Sequence, residues 1–149
     1  MILLSRRSLL AIAAVVDIAL HARPLPVAAK HLATRHNLPP RHLETMLQAL
    51  VRAGILKGVR GPRGGYEIAR ERRRITAADI VRAAMNSTGE DSVPPIPESA
   101  LVDVVVGPMV AKAGAAFLSE LDRVTVDDLC KQAEARAVAS TDSVADFTI

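Results

Sequence analysis

At 149 residues the chain is the size of one domain and can bury a core without disulfide or metal staples. Half of it is hydrophobic, yet Tyr66, Phe117 and Phe147 are its only aromatics, which excludes a surface of stacked rings of the kind that holds single-stranded nucleic acid. A single cysteine, Cys130, excludes an intrachain disulfide and a cluster held by several thiolates of one chain. The net charge of +3 conceals a split. Residues 1–74 hold 14 of the 19 Lys and Arg but 4 of the 16 Asp and Glu, a surplus of ten positive charges, while residues 75–149 have seven more acids than bases. The basic half, mostly arginine, has the electrostatics of a polyanion-binding face; a solvated arginine-rich surface is the competing reading.

The chain opens with Ser5-Arg6-Arg7-Ser8-Leu9-Leu10, which has the form of a twin-arginine export signal, with Ala19-Leu20-His21-Ala22 as a cleavage site. Asp17 argues against export, because it places a carboxylate in the apolar run. The uncharged stretch from Ser8 to Val16 is nine residues, far short of the roughly 20 of a membrane span. The expectation is instead a first helix over 5–21. Its apolar residues Leu9, Leu10, Ile12, Val15, Val16, Ile18 and Leu20 lie nearly all round, as suits burial on more than one side, one of them against a partner subunit.

Pro24 and Pro26 end that helix. A second is expected over 27–36, with Val27, Ala28, Leu32 and Leu38 at helical spacing and Lys30, Arg35 and His36 outward. After the turn Asn37-Leu38-Pro39-Pro40, a third helix covers 40–52, with Pro40 in its first turn and Gly54 as its C-terminal cap. Leu43, Met46, Leu47, Leu50 and Val51 form its apolar stripe, and Arg41, His42, Glu44, Thr45, Gln48 and Arg52 its polar face. The period then changes. Residues 55–60 read as a strand, Gly61-Pro62-Arg63-Gly64-Gly65 as a tight turn, and Tyr66-Glu67-Ile68-Ala69 as the return strand. Two helices around a short turn, followed by a hairpin tipped with arginine, describe a winged helix-turn-helix. The major groove admits one helix with polar side chains toward base edges, while the wing sets its cations against phosphates or in the minor groove.

Leu43-Glu44, Leu50, Ala53-Gly54-Ile55-Leu56 and Val59-Arg60-Gly61-Pro62-Arg63-Gly64-Gly65-Tyr66 together resemble the signature of the Rrf2 family of bacterial transcription regulators. The likeness extends upstream to Val16-Asp17-Ile18-Ala19-Leu20 and Ala28, Leu32 and Ala33, and downstream to Ile75-Thr76-Ala77-Ala78-Asp79-Ile80-Val81. It implies a mainly α-helical winged helix-turn-helix with a small β-hairpin wing, clamped into a homodimer by a long helix and bound to double-stranded DNA at an inverted-repeat operator. By matching position, the base-reading residues are Pro40, Arg41, His42, Glu44 and Thr45, with Glu44 placed to accept from cytosine N4. Arg60 matches the wing arginine that reaches the minor groove, and Arg63 adds a cation at the tip. Arg41 and His42 stand where small and aromatic residues are common.

Cluster-binding members of the family carry three cysteines between the fourth helix and the dimerisation helix. Here that loop, 86–97, contains none, so no cofactor is expected. Glu90 and Asp91 read as solvated acids. His31, His36 and His42 are spaced five and six residues apart and share no helical face, which excludes zinc, and the wing glycines lack the Gly-Lys-Ser/Thr ending of a phosphate-cradling loop. Cys130 is expected in a short helix capped by Thr125, as a buried structural thiol, a redox-sensing one or half of an intersubunit disulfide across the dimer axis. From Ala100 to Leu121 a helical apolar stripe with small residues at 113–116 suits a tight subunit contact, and Pro108 either kinks this helix or starts another. The expected organisation is a DNA-binding domain at 1–86, a linker or sensor loop at 87–97, dimerisation helices at 98–139 and a flexible tail at 140–149.

These readings converge on a cytoplasmic, homodimeric repressor with no membrane contact and its effector, small-molecule or redox, left open. Arg6, Arg7, Arg41, Arg52, Arg60 and Arg63 lie near the expected face, so binding should weaken steeply with salt. The alternative is a protein-interaction adaptor that keeps the fold without binding DNA. An enzyme is disfavoured, since no nucleophile–base or carboxylate pair has recognisable spacing.

Overall fold

The computed structural model describes residues 4–86 and 99–145, the side chains of 138–145 excepted. The expected sensor loop and the end of the expected tail, 146–149, lie outside the described residues. Six α-helices and one hairpin follow in the order α1 (Arg6–His21), α2 (Ala29–His36), α3 (Pro40–Arg52), β1 (Leu56–Val59), β2 (Gly65–Ile68), α4 (Ala77–Asn86), α5 (Gly107–Asp122) and α6 (Val126–Ala145), with a short 3-10 turn at Arg72–Arg74.

Local chemistry sets the boundaries. Ser5 caps α1, its hydroxyl accepting from the Ser8 amide at 3.2 Å. Beyond α3, the Gly54 amide donates to Val51 O and the Ile55 amide to Leu50 O, both at 3.0 Å, with Gly54 at φ 73°. This paired closure needs a left-handed residue just past the cap, which glycine adopts without a Cβ clash. The core gathers Ala11, Ala14, Val15 and Ile18 of α1, Leu32 of α2, Leu43, Met46, Leu47 and Leu50 of α3, Ile55 and Leu56 at the start of the hairpin, and Ile80, Ala83 and Ala84 of α4. Alanines on both α1 and α4 let these two helices pack most extensively of all.

Four expectations change. Val27 does not begin α2; it pairs with Tyr66 of β2, its amide donating to Tyr66 O at 3.0 Å and its carbonyl accepting from the Tyr66 amide at 2.8 Å. Arg35 and His36 do not face water freely. They turn back onto the buried Asp17, whose Oδ1 accepts from Arg35 Nη2 at 2.7 Å and whose Oδ2 accepts from His36 Nε2 at 2.8 Å, while His21 Nδ1 reaches Oδ1 at 3.1 Å. The carboxylate that counted against an export signal therefore fastens α1 to the end of α2.

The third change concerns the approach to Pro108: the proline stands in the first turn of α5, as one of the two expected alternatives had it, but a π-helical turn at Val102–Val106 rather than a break in the helix precedes it, with the Gly107 amide donating to Val102 O. Proline offers no N–H and its ring crowds the carbonyl four residues back; the wider turn just before it accommodates both defects. Lastly, α6 is not short. It runs 20 residues to Ala145, into the region expected as tail, and its first turns enter the main core through Val126 and Cys130.

The starts of α4 and α6 are built alike and tied together. Thr76 and Asp79 form a reciprocal cap at 3.0 and 3.1 Å, and so do Thr125 and Asp128. The Ala77 amide donates to Val124 O and the Val126 amide to Ile75 O, both at 2.8 Å. In contrast, α5 exposes its apolar residues: Leu101 and Val104 in the turns leading into it are 65% and 73% accessible, and Met109 is 62%. Val102–Asp122 is long and apolar enough to cross a membrane by length and composition, and none of that window is buried within the chain.

Candidate nucleic-acid interface

Helix α3 sorts its residues by period. Leu43, Met46, Leu47 and Leu50 are buried on one side, leaving Pro40, Arg41, His42, Glu44, Thr45 and Gln48 exposed on the other. All five residues assigned to base reading are thus on the solvent side of its first two turns. Thr45 Oγ1 donates to Arg41 O at 3.2 Å within the helix, which leaves its lone pairs free to accept.

The hairpin is antiparallel, with Leu56 opposite Ile68, Lys57 opposite Glu67, Gly58 opposite Tyr66 and Val59 opposite Gly65. Arg60 and Arg63 lie exposed in the turn beyond the strands. Gly65 allows the wing to dock: a Cβ there would sit 2.3 Å from Val27 O and 2.8 Å from the Ala28 nitrogen, so only glycine permits the close approach that the Val27–Tyr66 bonds require. Burial and then the nearby Glu44 carboxylate raise the Tyr66 phenol above the usual tyrosine range, so ring and carboxylate share one neighbourhood. Tyr66 was legible in the Gly-Gly-Tyr motif, but its place beside Glu44 was not.

The arginines divide into two populations. Arg35 pairs with Asp17, Arg72 and Arg73 with Asp127, Arg74 with Glu71, Arg82 with Asp79 and Asp122, and Arg123 with Glu120. Arg41, Arg52, Arg60 and Arg63 are exposed, and their side chains have no hydrogen bond or ion pair among the described residues. The positive surplus of the first half is therefore partly spent on structure and partly left unpaired, on α3 and the wing and also at Arg6 and Arg23. Arg7 lies half-buried against the start of α3.

Cys130 lies far from being a reactive surface group. It is fully buried in the main core, and burial raises its thiol above the ordinary range despite the opposing pull of Arg72. Among the described residues, no three His, Cys, Asp or Glu gather in a set that could hold a metal.

A family model described as an iron-dependent transcriptional regulator, Rrf2, matches residues 4–132. The chain belongs to the Rrf2 family. It is 36% identical over 95 residues to the putative HTH-type transcriptional regulator slr0846 of Synechocystis, covering 64% of this chain and 61% of that one. The Xenorhabdus nematophila HTH-type transcriptional regulator IscR is 34% identical over 77 residues, 52% of this chain and 47% of its own. The chain thus spans about half to three-fifths of the length of these curated relatives. Among solved structures, T. potens IscR superposes with a TM-score of 0.69 at 30% identity, over 91% of this chain and 90% of that one. CymR, the global cysteine regulator of B. subtilis, gives 0.65 at 25% identity, over 89% and 98%. The chain has the winged-helix fold of the Rrf2 family, and the relatives named here are transcriptional regulators.

The iron in the family description requires ligands. A cluster of the soft, thiolate-bound kind does not fit a chain whose single cysteine is sealed in its core.

Proposed function

We propose that the protein is a homodimeric, sequence-specific DNA-binding repressor of the cytoplasm that works without an iron–sulfur cluster. The observation that carries this reading is the set of unpaired cations on α3 and the wing, in a chain that pairs most of its other arginines. Pro40, Arg41, His42, Glu44 and Thr45 face the bases of the major groove, with Glu44 accepting from cytosine. Arg60 enters the minor groove and Arg63 meets phosphate.

The second support is the apolar face of α5 and of the turns leading into it. Leu101, Val104, Val105, Met109 and Val110 are more than half exposed. Burial against a twin helix would remove that surface from water at about 25 cal/mol per Å². Twofold symmetry then presents two α3 helices to half-sites about one DNA turn apart, which is why the operator is an inverted repeat.

The test is selection of bound fragments from genomic DNA, followed by titration of the selected duplex at several salt concentrations and a transcription assay. An inverted repeat, affinity that falls steeply with salt, and reduced transcription are expected. A protein that ignores every duplex at low ionic strength is the adaptor, and the proposal fails.

A further inference from the structure

Gln48 is exposed on the same side of α3 as Arg41, Glu44 and Thr45, and its carboxamide has no hydrogen bond among the described residues. At 3.6 residues per turn it stands about 40° around the axis from Glu44 and about 60° from Thr45, on the side between them. Arg41, Thr45, Gln48 and Arg52 recur at intervals of four, three and four residues, a polar line that runs the length of the helix. Buried Met46 and Leu50 occupy the opposite side, against the core.

Reach and chemistry follow from comparison with Glu44, one turn earlier. Glutamate and glutamine side chains have the same length, and four residues of helix advance about 6 Å. A helix lying along the major groove, close enough for Glu44 to accept from cytosine N4, therefore gives Gln48 the same depth of reach. Stacked base pairs are about 3.4 Å apart, which puts Gln48 about one or two pairs further along. Its carboxamide differs from the carboxylate in offering N–H as well as oxygen. Adenine presents a donor and an acceptor side by side in this groove, N6–H and N7, and a carboxamide takes both. Guanine offers acceptors alone, cytosine a donor alone and thymine an acceptor beside a methyl, so each leaves half of the amide unmet.

We infer that Gln48 is a further base-reading residue, its carboxamide accepting from adenine N6 and donating to N7 about one or two base pairs beyond the cytosine read by Glu44. Twofold repetition puts that adenine in both half-sites. This role rests on the DNA-binding reading and adds one specified base to each half-site.

The test is selection of bound duplexes from a randomised library by the whole protein and by its Gln48→Ala, Gln48→Glu and Glu44→Ala variants, followed by anisotropy titration of the selected duplex. The parent should select an adenine within about two pairs of the cytosine whose preference Glu44→Ala loses. Gln48→Ala should keep the cytosine and lose the adenine, a preference of about 5- to 150-fold. Gln48→Glu should exchange adenine for cytosine at that position, since a carboxylate accepts and cannot donate. Replacing the adenine by 7-deazaadenine, which removes N7, should weaken the parent by about threefold or more and leave Gln48→Ala unmoved. A merely structural glutamine gives no such coupling. If Gln48→Ala does not fold, the exchange made by Gln48→Glu decides, because it requires a folded reading head. Unchanged preferences in Gln48→Ala, affinity lost evenly over all sequences, an equal 7-deazaadenine penalty in both proteins, or a Gln48→Glu variant that still selects adenine overturns the role and leaves the DNA-binding reading standing. A parent that selects no duplex sinks the DNA-binding reading itself, and the role of Gln48 falls with it.

Discussion

Gly65→Ala tests whether the wing is fastened to the helix-turn-helix by backbone contact. The new Cβ would stand 2.3 Å from Val27 O, and ordinary contact begins at 3.4 Å, so the strand and the segment before α2 must part by roughly 1 Å. That separation breaks the two Val27–Tyr66 hydrogen bonds, now 3.0 and 2.8 Å. Each contributes about 0.5–1.5 kcal/mol. Alanine for glycine at an unstrained site instead stabilises by about 0.4–1 kcal/mol through the unfolded chain. With residual crowding included, the variant should lose about 2 kcal/mol. Gly58 is the internal control: it lies in the same hairpin, at a φ outside the left-handed region, with nothing within 4 Å of its would-be Cβ. Gly58→Ala should therefore be neutral or slightly stabilising. Urea unfolding followed by circular dichroism gives both values at equal slope. Under conditions where it is fully folded, Gly65→Ala should also bind the operator about tenfold more weakly, since Arg60 and Arg63 ride on the displaced wing. If Gly65→Ala matches Gly58→Ala in stability and the parent in affinity, the close approach is not what positions the wing.

Further expectations concern charge, burial and assembly. Arg60→Ala should lower the salt dependence of operator binding by about one unit of slope, whereas Glu44→Ala should cost about 1–3 kcal/mol and relax the base preference at one position per half-site; anisotropy titrations on substituted duplexes read both. Asp17→Ala should cost about 2–3 kcal/mol in urea unfolding, less than a fully buried pair because Arg35 and His21 are partly in water, and an unchanged midpoint would contradict the fastening role. Because burial raises the Cys130 thiol, the unfolded chain deprotonates first; that contribution to stability is intact below the ordinary thiol range near 9.0 and declines as pH climbs beyond it. The same burial should limit the reaction of Cys130 with a disulfide reagent to the rate of unfolding, and rapid labelling of the native protein would refute it. Val104→Glu, on the exposed face leading into α5, should yield monomers in light scattering, and a persisting dimer would place the subunit contact elsewhere.

Helix α3 was legible to the residue because every local signal agreed: an apolar stripe of helical period, a proline at its start and a glycine past its end. The wing was legible because the helical period ends at Gly54 and two short stretches flank a glycine-rich turn, which is where the antiparallel pair forms. What escaped were features made by contact across the chain. Val27 has helical spacing, but pairing with Tyr66 outweighs it. Arg35 and His36 have the look of surface residues until Asp17 is found beneath them. The length of α6 is masked in sequence by a weak apolar period, and among its described side chains the core takes Val126 and Cys130, both in the first turns. Of the site, its residues on α3 and in the wing could be named in advance, while the nearness of Glu44 to Tyr66 and the half-burial of Arg7 required the fold.

The backbone strap that joins the starts of α4 and α6 makes the protein a ruler. With Ala77 locked to Val124 and Val126 to Ile75, the segment that follows α5 cannot pivot freely against the body that carries α3. In a dimer joined through α5, the distance between reading heads is then set by rigid backbone rather than by a hinge. One base pair inserted between half-sites rotates the second by about 35° around the duplex, and a stiff gauge has little compliance with which to follow it.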